Sequence, residues 1–475
     1  MATKKDLVEA YSFSRRRLVT AFVSGAPGGR EVEPTRPGRM IIGGIALAIL
    51  LMAGAAVAGA LTKRASPDFD KPGLVTDDRG ALYIILQSED SPGEPVLRPV
   101  INVTSAQLIL GDAGKVTKVP DKELAAQEKG PAIGILDAPA IVPSASDLLN
   151  SAWTSCTATG AGVRTEVVPS PQVEPTPDRG FVVRGRTSKK RYLIAEAASP
   201  EQPVRAYRYA LPDNSDDLLD SLRSLPDDEI SVPDEWLALF PGGGSLDEKG
   251  LGIPHWGDPV TLDGYPKGTL VGDIDASRTG RYVITNKGPV ALTPFAEQVV
   301  KNTSLGKRKP QEVEPDVALN IASETPYDDA QWPSGLLAAP VDSTDQLCGV
   351  LQTAEDTMPA VRLATNPAGS PMLDDVTGKD DDVRVEPGYG ALVRSGGWMK
   401  STGGTAYLVD DGGRSYSIAG QLEVANLGYE KVDPVVVPET WIQLFRPSAD
   451  LSRLAALCPP RESDPGAKPS KTDTC

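Results

Sequence analysis

The chain has 475 residues, with 48 Lys and Arg against 64 Asp and Glu, a formal net charge of −16 and a single histidine. An acidic surplus of this size repels phosphate backbones and excludes nucleic-acid binding as a function class. Aromatic residues make up 5 %, which argues against a sugar-binding cell-wall module, while 46 Gly and 43 Pro predict many short strands and turns.

Residues 4–24, KKDLVEAYSFSRRRLVTAFVS, place Leu7, Val8, Tyr11, Leu18, Val19 and Phe22 at helical spacing around Arg15, Arg16 and Arg17. The pattern predicts an amphipathic helix. It suits an anionic lipid surface or a partner's cytoplasmic face, or simply a solvated helix that carries orienting charge. A Pro/Gly linker, 25–39, follows and ends with Arg36 and Arg39. Met40–Leu61 is then apolar without interruption. At about 1.5 Å per residue it reaches about 33 Å, enough for a hydrocarbon core about 30 Å thick, so it is predicted to span a membrane once. The basic arm stays inside by the positive-inside rule, which places the N-terminus in the cytoplasm and residues 65–475 outside. Ala58 and Ala60 form an A-x-A pattern, but the long arm and long apolar core favour an uncleaved anchor.

The exterior of about 410 residues suffices for several domains. Taking the 10 basic and 4 acidic residues of 1–64 from the totals of 48 and 64 leaves it a net charge of −22. Within it the chain repeats itself. Val232-Pro-Asp-Glu-Trp236-Leu-Ala-Leu-Phe240 matches Val437-Pro-Glu-Thr-Trp441-Ile-Gln-Leu-Phe445. Each is preceded by paired strand-like segments, Gly180–Arg184 and Arg191–Ile194 in one case, Gly390–Arg394 and Ala406–Val409 in the other. Trp236 and Phe240, and Trp441 and Phe445, are spaced as core anchors on a short helix. A looser pair links Ala81–Ile85 and Leu97–Val100 with Gly280–Ile284 and Ala291–Phe295. The expected organisation is repeat modules at 65–125, 178–248, 249–330 and 385–457 around central β-rich segments at 126–177 and 331–384. Asp216–Leu225 is expected to be an amphipathic helix capped by Ser215, and 458–475 a flexible tail.

All four cysteines lie beyond the span, where an even count implies disulfides. Three pairings are possible. The preferred one joins Cys156 to Cys348, tying two central segments, and Cys458 to Cys475, pinning the tail. No catalytic, cofactor or metal site is legible. Gly111-Asp-Ala-Gly114-Lys115-Val116 lacks the spacing and hydroxyl of a phosphate cradle, His255 sits alone in a turn-like Ile-Pro-His-Trp-Gly, and zinc ligands are missing. The acidic loop Asp374-Asp375…Asp380-Asp381-Asp382 lacks EF-hand spacing and reads as solvated.

Ser14-Arg-Arg-Arg-Leu18, one span near 40–60 and the long acidic exterior together resemble the EccB family of the type VII (ESX) secretion membrane complex. The resemblance extends through Leu97-Arg-Pro-Val-Ile-Asn-Val-Thr-Ser-Ala-Gln-Leu-Ile-Leu-Gly111, Gly130–Pro139, Trp153-Thr-Ser-Cys156, Gln346-Leu-Cys348-Gly349 and Leu457-Cys458-Pro459. The arm departs from the family where Tyr11-Ser12-Phe13 replaces a Ser-Gly-His-like turn before a Phe, which bears on the arm's contacts. The resemblance implies an α+β exterior of four small repeat domains around a central β-rich domain, with a disulfide at Cys156 and Cys348. It implies a structural role in a cell inner membrane complex of hexameric scale. The implied partners are an FtsK/SpoIIIE-like ATPase (EccC), a multispanning subunit (EccD), EccE where present, a mycosin protease and further copies of this chain. Weak ATP hydrolysis has been suggested for such exteriors; an envelope nucleotide hydrolase is therefore the alternative function.

Overall fold

The computed structural model describes residues 4–24, 71–87, 95–111, 116–157, 162–199, 202–226, 229–275, 281–311, 331–338, 345–366 and 381–461. The predicted span Met40–Leu61, Arg36 and Arg39, the acidic loop up to Asp380, and the tail beyond Arg461 with Cys475 lie outside the described residues. No helix among the described residues is long and apolar enough to cross a membrane. The chain divides into two units, Met1–Ala65 and Ser66–Cys475. In the first, Lys4–Ser24 forms one helix in which Leu7, Val8, Tyr11, Phe13, Leu18 and Val19 are all exposed.

Among the described residues the second unit is built on five β-sheets, four of which contain the same three-strand antiparallel meander. In the second of the four, Phe181–Gly185, Arg191–Ser199 and Gln202–Ala210 form an antiparallel meander. Ile230–Val232 then runs parallel to the first strand and Gly242–Ser245 parallel to the third. The fourth sheet repeats this with Ala391–Gly396, Ala406–Val409, Arg414–Ile418, Val435–Pro438 and Arg446–Pro447. The first sheet comprises Gly73–Thr76, Leu82–Gln87, Pro95–Pro99 and Thr117–Lys118; a parallel bridge from Leu97 to Lys129 stands where the fifth strand would be. The third is a shorter version, Ile274–Asp275, Tyr282–Thr285 and Gly288–Ala291, with a parallel bridge from Asp275 to Gln311.

A parallel return requires a crossover, and each sheet supplies a helix for it: Val103–Leu110, Asp216–Ser221, Pro294–Asn302 and Gln421–Val424. Asn102 caps the first by accepting from the Ser105 amide, and Thr293 caps the third by accepting from that of Ala296. The crossover at 216 is shorter than expected. It stops at Ser221 because Arg223 takes a left-handed φ of 61°, and Ser215 precedes it without making the side-chain cap bond. After the crossover, Pro120, Pro233 and Pro438 each open a one-turn helix: Asp121–Leu124, Asp234–Leu237 and Glu439–Ile442. Proline lacks an N–H that this position would leave unpaired, and the acidic first-turn residues complement the helix dipole.

The fifth, central sheet has the order Asp381–Val385, Val163–Val167, Trp153–Thr157, Gln346–Gln352, Ala360–Asn366 and Glu174–Pro175. Period-2 alternation divides it. Trp153, Leu347, Leu351, Val361 and Leu363 face a shared core with the second and fourth sheets. Cys156, Cys348, Arg164 and Glu166 fall on the opposite parity. Phe181 and Val183 enter the shared core while Val182 enters a different one with the third sheet. Ala391 and Val393 likewise enter the shared core while Leu392 packs with the first sheet. Burial on both faces is why these strands read as near-continuous apolar runs. The central sheet thus carries the second and fourth sheets on one face, and each of these carries a further sheet on its far side. Residues 129–142 lie against the first sheet, through the Leu97–Lys129 and Val100–Ile133 bridges and the burial of Ile133, Ile135 and Val142.

Candidate assembly surfaces

The repeated aromatic residues are interior. Trp236, Phe240, Trp441 and Phe445 are each at most 2 % exposed. The Trp236 indole N–H donates to the Ser155 carbonyl of the central sheet at 3.2 Å, and Phe240 stands edge-on to Trp236 at 5.0 Å. The Phe240 ring lies over Gly349, where a Cβ would come within 3.0 Å of its Cζ. Trp441 instead donates to the Leu239 carbonyl at 3.2 Å, and Phe445 packs edge-on against Trp153 at 5.2 Å. The two copies of one motif therefore meet at the junction of three sheets and do different work there. The corresponding segment of the first sheet, Val119–Leu124, has Glu123 where the Trp would be. Its face forms a small core of Val75, Ile85, Leu97, Val119 and Leu124, which among the described residues carries no further sheet.

The two cysteines predicted to pair do so directly across neighbouring antiparallel strands, Cys156 to Cys348 with a Cα–Cα distance of 4.0 Å. Cys458 is also disulfide-bonded. The bridge between Cys156 and Cys348 belongs to the polar face of the central sheet, where Thr154, Cys156, Arg164, Glu166, Gln172, Val173 and Asn366 line a shallow indentation. Arg164 pairs with Asp382 at 2.9 Å, so this member of the acidic run is engaged rather than free. Glu166 is buried, with Arg384 4.0 Å away. Burial holds its carboxyl above the usual glutamate value near 4.5, against the opposing pull of Arg164 and Arg384. A carboxyl raised on folding contributes stability that is complete below its unfolded pKa and is lost as pH rises through the folded one. Glu166→Gln is therefore expected to raise the thermal midpoint by about 1–2 °C at pH 7 and to leave it unchanged at pH 4. Equal shifts at both pH values in a melting series would contradict this cause.

Polar contacts fix the sheets to one another. Glu196 of the second sheet accepts the Leu363 amide at 2.7 Å and pairs with Arg362 at 2.7 Å, stapling that sheet to the central one. Asn302 of the third sheet's crossover helix donates to Ser221 at 3.2 Å. Between first and fourth sheets, Asn426 donates to the Leu108 carbonyl at 2.8 Å, Tyr429 to that of Pro143 at 2.6 Å, and Gly134 to that of Cys458 at 3.0 Å. The segments of this last seam also carry exposed Ile101, Leu136, Ile141, Leu422 and Leu454. These are five of the nine exposed large apolar side chains described in the second unit.

The remaining expected positions are unremarkable in chemistry. His255 is exposed in a turn with φ 62°, its Nδ1 3.3 Å from Asp258. Arg15, Arg16 and Arg17 lie on the exposed Lys4–Ser24 helix. Among the described residues no three His, Cys, Asp or Glu side chains gather as a metal-binding group. Sequence reasoning missed Glu166, Glu196 and Arg205, which alternate with apolar neighbours along strands. Such residues are indistinguishable from solvent-facing ones until the layer above them is known.

A family model described as "Type VII secretion system ESX-1, transport TM domain B" matches residues 1–460. The chain is 26 % identical over 488 residues to the "ESX-1 secretion system ATPase EccB1" of Mycolicibacterium smegmatis, covering 96 % of this chain and 95 % of that one. It is 23 % identical over 501 residues to the "ESX-5 secretion system ATPase EccB5" of Mycobacterium tuberculosis, covering 95 % and 92 %. Its fold resembles a chain of the intact ESX-5 inner membrane complex with a TM-score of 0.60 at 21 % identity, over 99 % of this chain and 98 % of that one. It also resembles the EccB3 dimer from the ESX-3 core complex with a TM-score of 0.60 at 19 % identity, over 81 % and 100 %.

Proposed function

The chain belongs to the EccB family and is a structural component of the type VII secretion membrane complex; from that premise we propose that its globular unit forms the extracytoplasmic part of the complex and helps to assemble the export channel. The observation that carries this reading is the construction of the second unit. One core runs through three sheets without a break, two further cores extend it outward, and five exposed apolar side chains lie on the segments that join the first and fourth sheets. That is the build of a rigid spacer with a face for self-association. Met40–Leu61 would anchor it as a single span, with the basic arm in the cytoplasm beside Arg15, Arg16, Arg17, Arg36 and Arg39. We read the four like-ordered sheets as four repeat modules, and the FtsK-like ATPase, the multispanning subunit and the mycosin as the partners at either side of the membrane. The relatives' names include the word ATPase, so weak nucleotide hydrolysis is the second reading. ATP turnover that survives in purified chain freed of its ATPase partner would establish it.

The seam supplies the test. Leu422→Glu with Leu454→Glu places charge on exposed side chains 59 % accessible in each case, at little cost to the isolated fold. Self-association of the full chain in mild detergent is expected to weaken by at least about tenfold, measured by light scattering over a dilution series. Unchanged association would remove the seam as the contact between copies.

A further inference from the structure

Arg205 is a buried cation to which no carboxylate is matched. It lies on Gln202–Ala210 at 1 % exposure, and neither its Nε nor its Nη2 has a hydrogen-bond partner. Its Nη1 reaches only the Met399 thioether sulfur at 3.9 Å, and its guanidinium carbon stands 5.8 Å from the centre of the Trp398 ring. Burial depresses its pKa, the direction expected for a charge without compensation. An isolated guanidinium out of water is costly, and a contact with an indole and a thioether offsets little of that cost. Glu196, on the neighbouring strand, is already committed to Arg362 and the Leu363 amide.

Part of the cover over this charge is a turn. Trp398 and Met399 sit on the turn between Ala391–Gly396 and Ala406–Val409, flanked by Gly396-Gly397 and Gly403-Gly404. Gly403 and Gly404 have φ near +85° and +95°, values that a side chain would resist. Met399 is 59 % exposed, so the thioether that touches the buried cation also reaches the surface. Arg, Trp and Met are the residues that populate the desolvated centres of protein interfaces.

We propose that this corner is a docking point for a segment of another subunit that presents a carboxylate beside an apolar side chain. The carboxylate takes the unpaired Arg205 Nε and Nη2 side-on as a bidentate pair, while the apolar neighbour packs on Met399 and Trp398 as the 397–404 turn moves aside. A free inorganic anion would satisfy the guanidinium but leave Met399 and Trp398 unused, which is why a protein segment fits better. The inference rests on Arg205 and its cover, and it stands whether or not copies of the chain meet at the seam.

The test uses the full chain in its native membrane with the photo-crosslinking residue benzoylphenylalanine at Met399. The expected product joins this chain to an acidic and apolar segment of a different polypeptide, identified by mass spectrometry. Its yield should fall at least about tenfold in Arg205→Gln and by less in Arg205→Lys, which keeps the charge and loses the fork. Equal yield in Arg205→Gln, crosslinks confined to the chain itself, or capture of a second copy alone would each overturn the proposal. Folding is controlled by the melting point. Removing an uncompensated charge should leave it equal or higher, and a fall of several degrees would show that the guanidinium is satisfied within the fold, which also overturns the proposal.

Discussion

Trp236→Ala and Trp441→Ala are each expected to destabilise the second unit by about 3–5 kcal/mol. Both rings are fully buried where the second, fourth and central sheets meet; the Trp236 indole holds a carbonyl of the central sheet, and that of Trp441 holds the Leu239 carbonyl just after the helix Asp234–Leu237. Truncation removes the ring, leaves a cavity that three sheets cannot close together, and strands the Ser155 or Leu239 carbonyl without its donor. Because the unit contains several cores, unfolding need not be a single step. Hydrogen exchange is the suitable readout, through the protection of amides in Trp153–Thr157 and Gln346–Gln352. Loss of protection there in both variants, with the third sheet's Tyr282–Thr285 less affected, is the expected pattern. A loss below about 1 kcal/mol would mean that the junction opens easily and that the repeated motif serves a surface instead.

Replacing Cys156 and Cys348 together by Ser is expected to cost about 2–4 kcal/mol. The bridge joins residues 192 apart in sequence, so it removes a large share of the unfolded chain's freedom, and it does so at directly opposed positions of one ladder. The side chains lie on the polar face, away from the shared core, so the variant should keep its strand pairing and lose stability without changing its contacts. A urea midpoint that does not move would contradict this. Cys156→Ser alone leaves Cys348 as a buried thiol and should cost nearly the same.

Much of this architecture can be read from residues, and the limits are physical. The Val-Pro-x-x-Trp segments are visible because a proline, acidic first-turn residues and a tryptophan are each demanded by the local structure at Pro233–Trp236 and Pro438–Trp441. The counterpart at Val119–Leu124 escapes notice because its tryptophan is absent: with no sheet to dock on among the described residues, Glu123 serves there and the aromatic signal disappears. Compartment and count call for disulfides but leave three pairings open, and the family resemblance points to Cys156 and Cys348; the bridge's placement on the polar face follows from alternation about Trp153, which becomes meaningful only once the second and fourth sheets are known to cover that side. The end of the helix at Ser221 was hidden because DDLLDSLRSL keeps helical periodicity past the point where Arg223 turns left-handed. Arg205 carries no sequence signal at all: one arginine in a strand of alternating residues is ordinary, and only its burial without a partner makes it informative. Membership of the EccB family was legible from ordered segments that span nearly the whole chain, and residues 1–460 match its model.

The central claim is that this chain is a building element of a secretion complex and not a free-standing envelope enzyme. Extraction of the tagged full chain from its native membrane in mild detergent, followed by pull-down and mass spectrometry, tests it most directly. The account predicts recovery in a large assembly together with an FtsK-like ATPase and a multispanning subunit. Recovery of the chain alone under several mild detergents would contradict it.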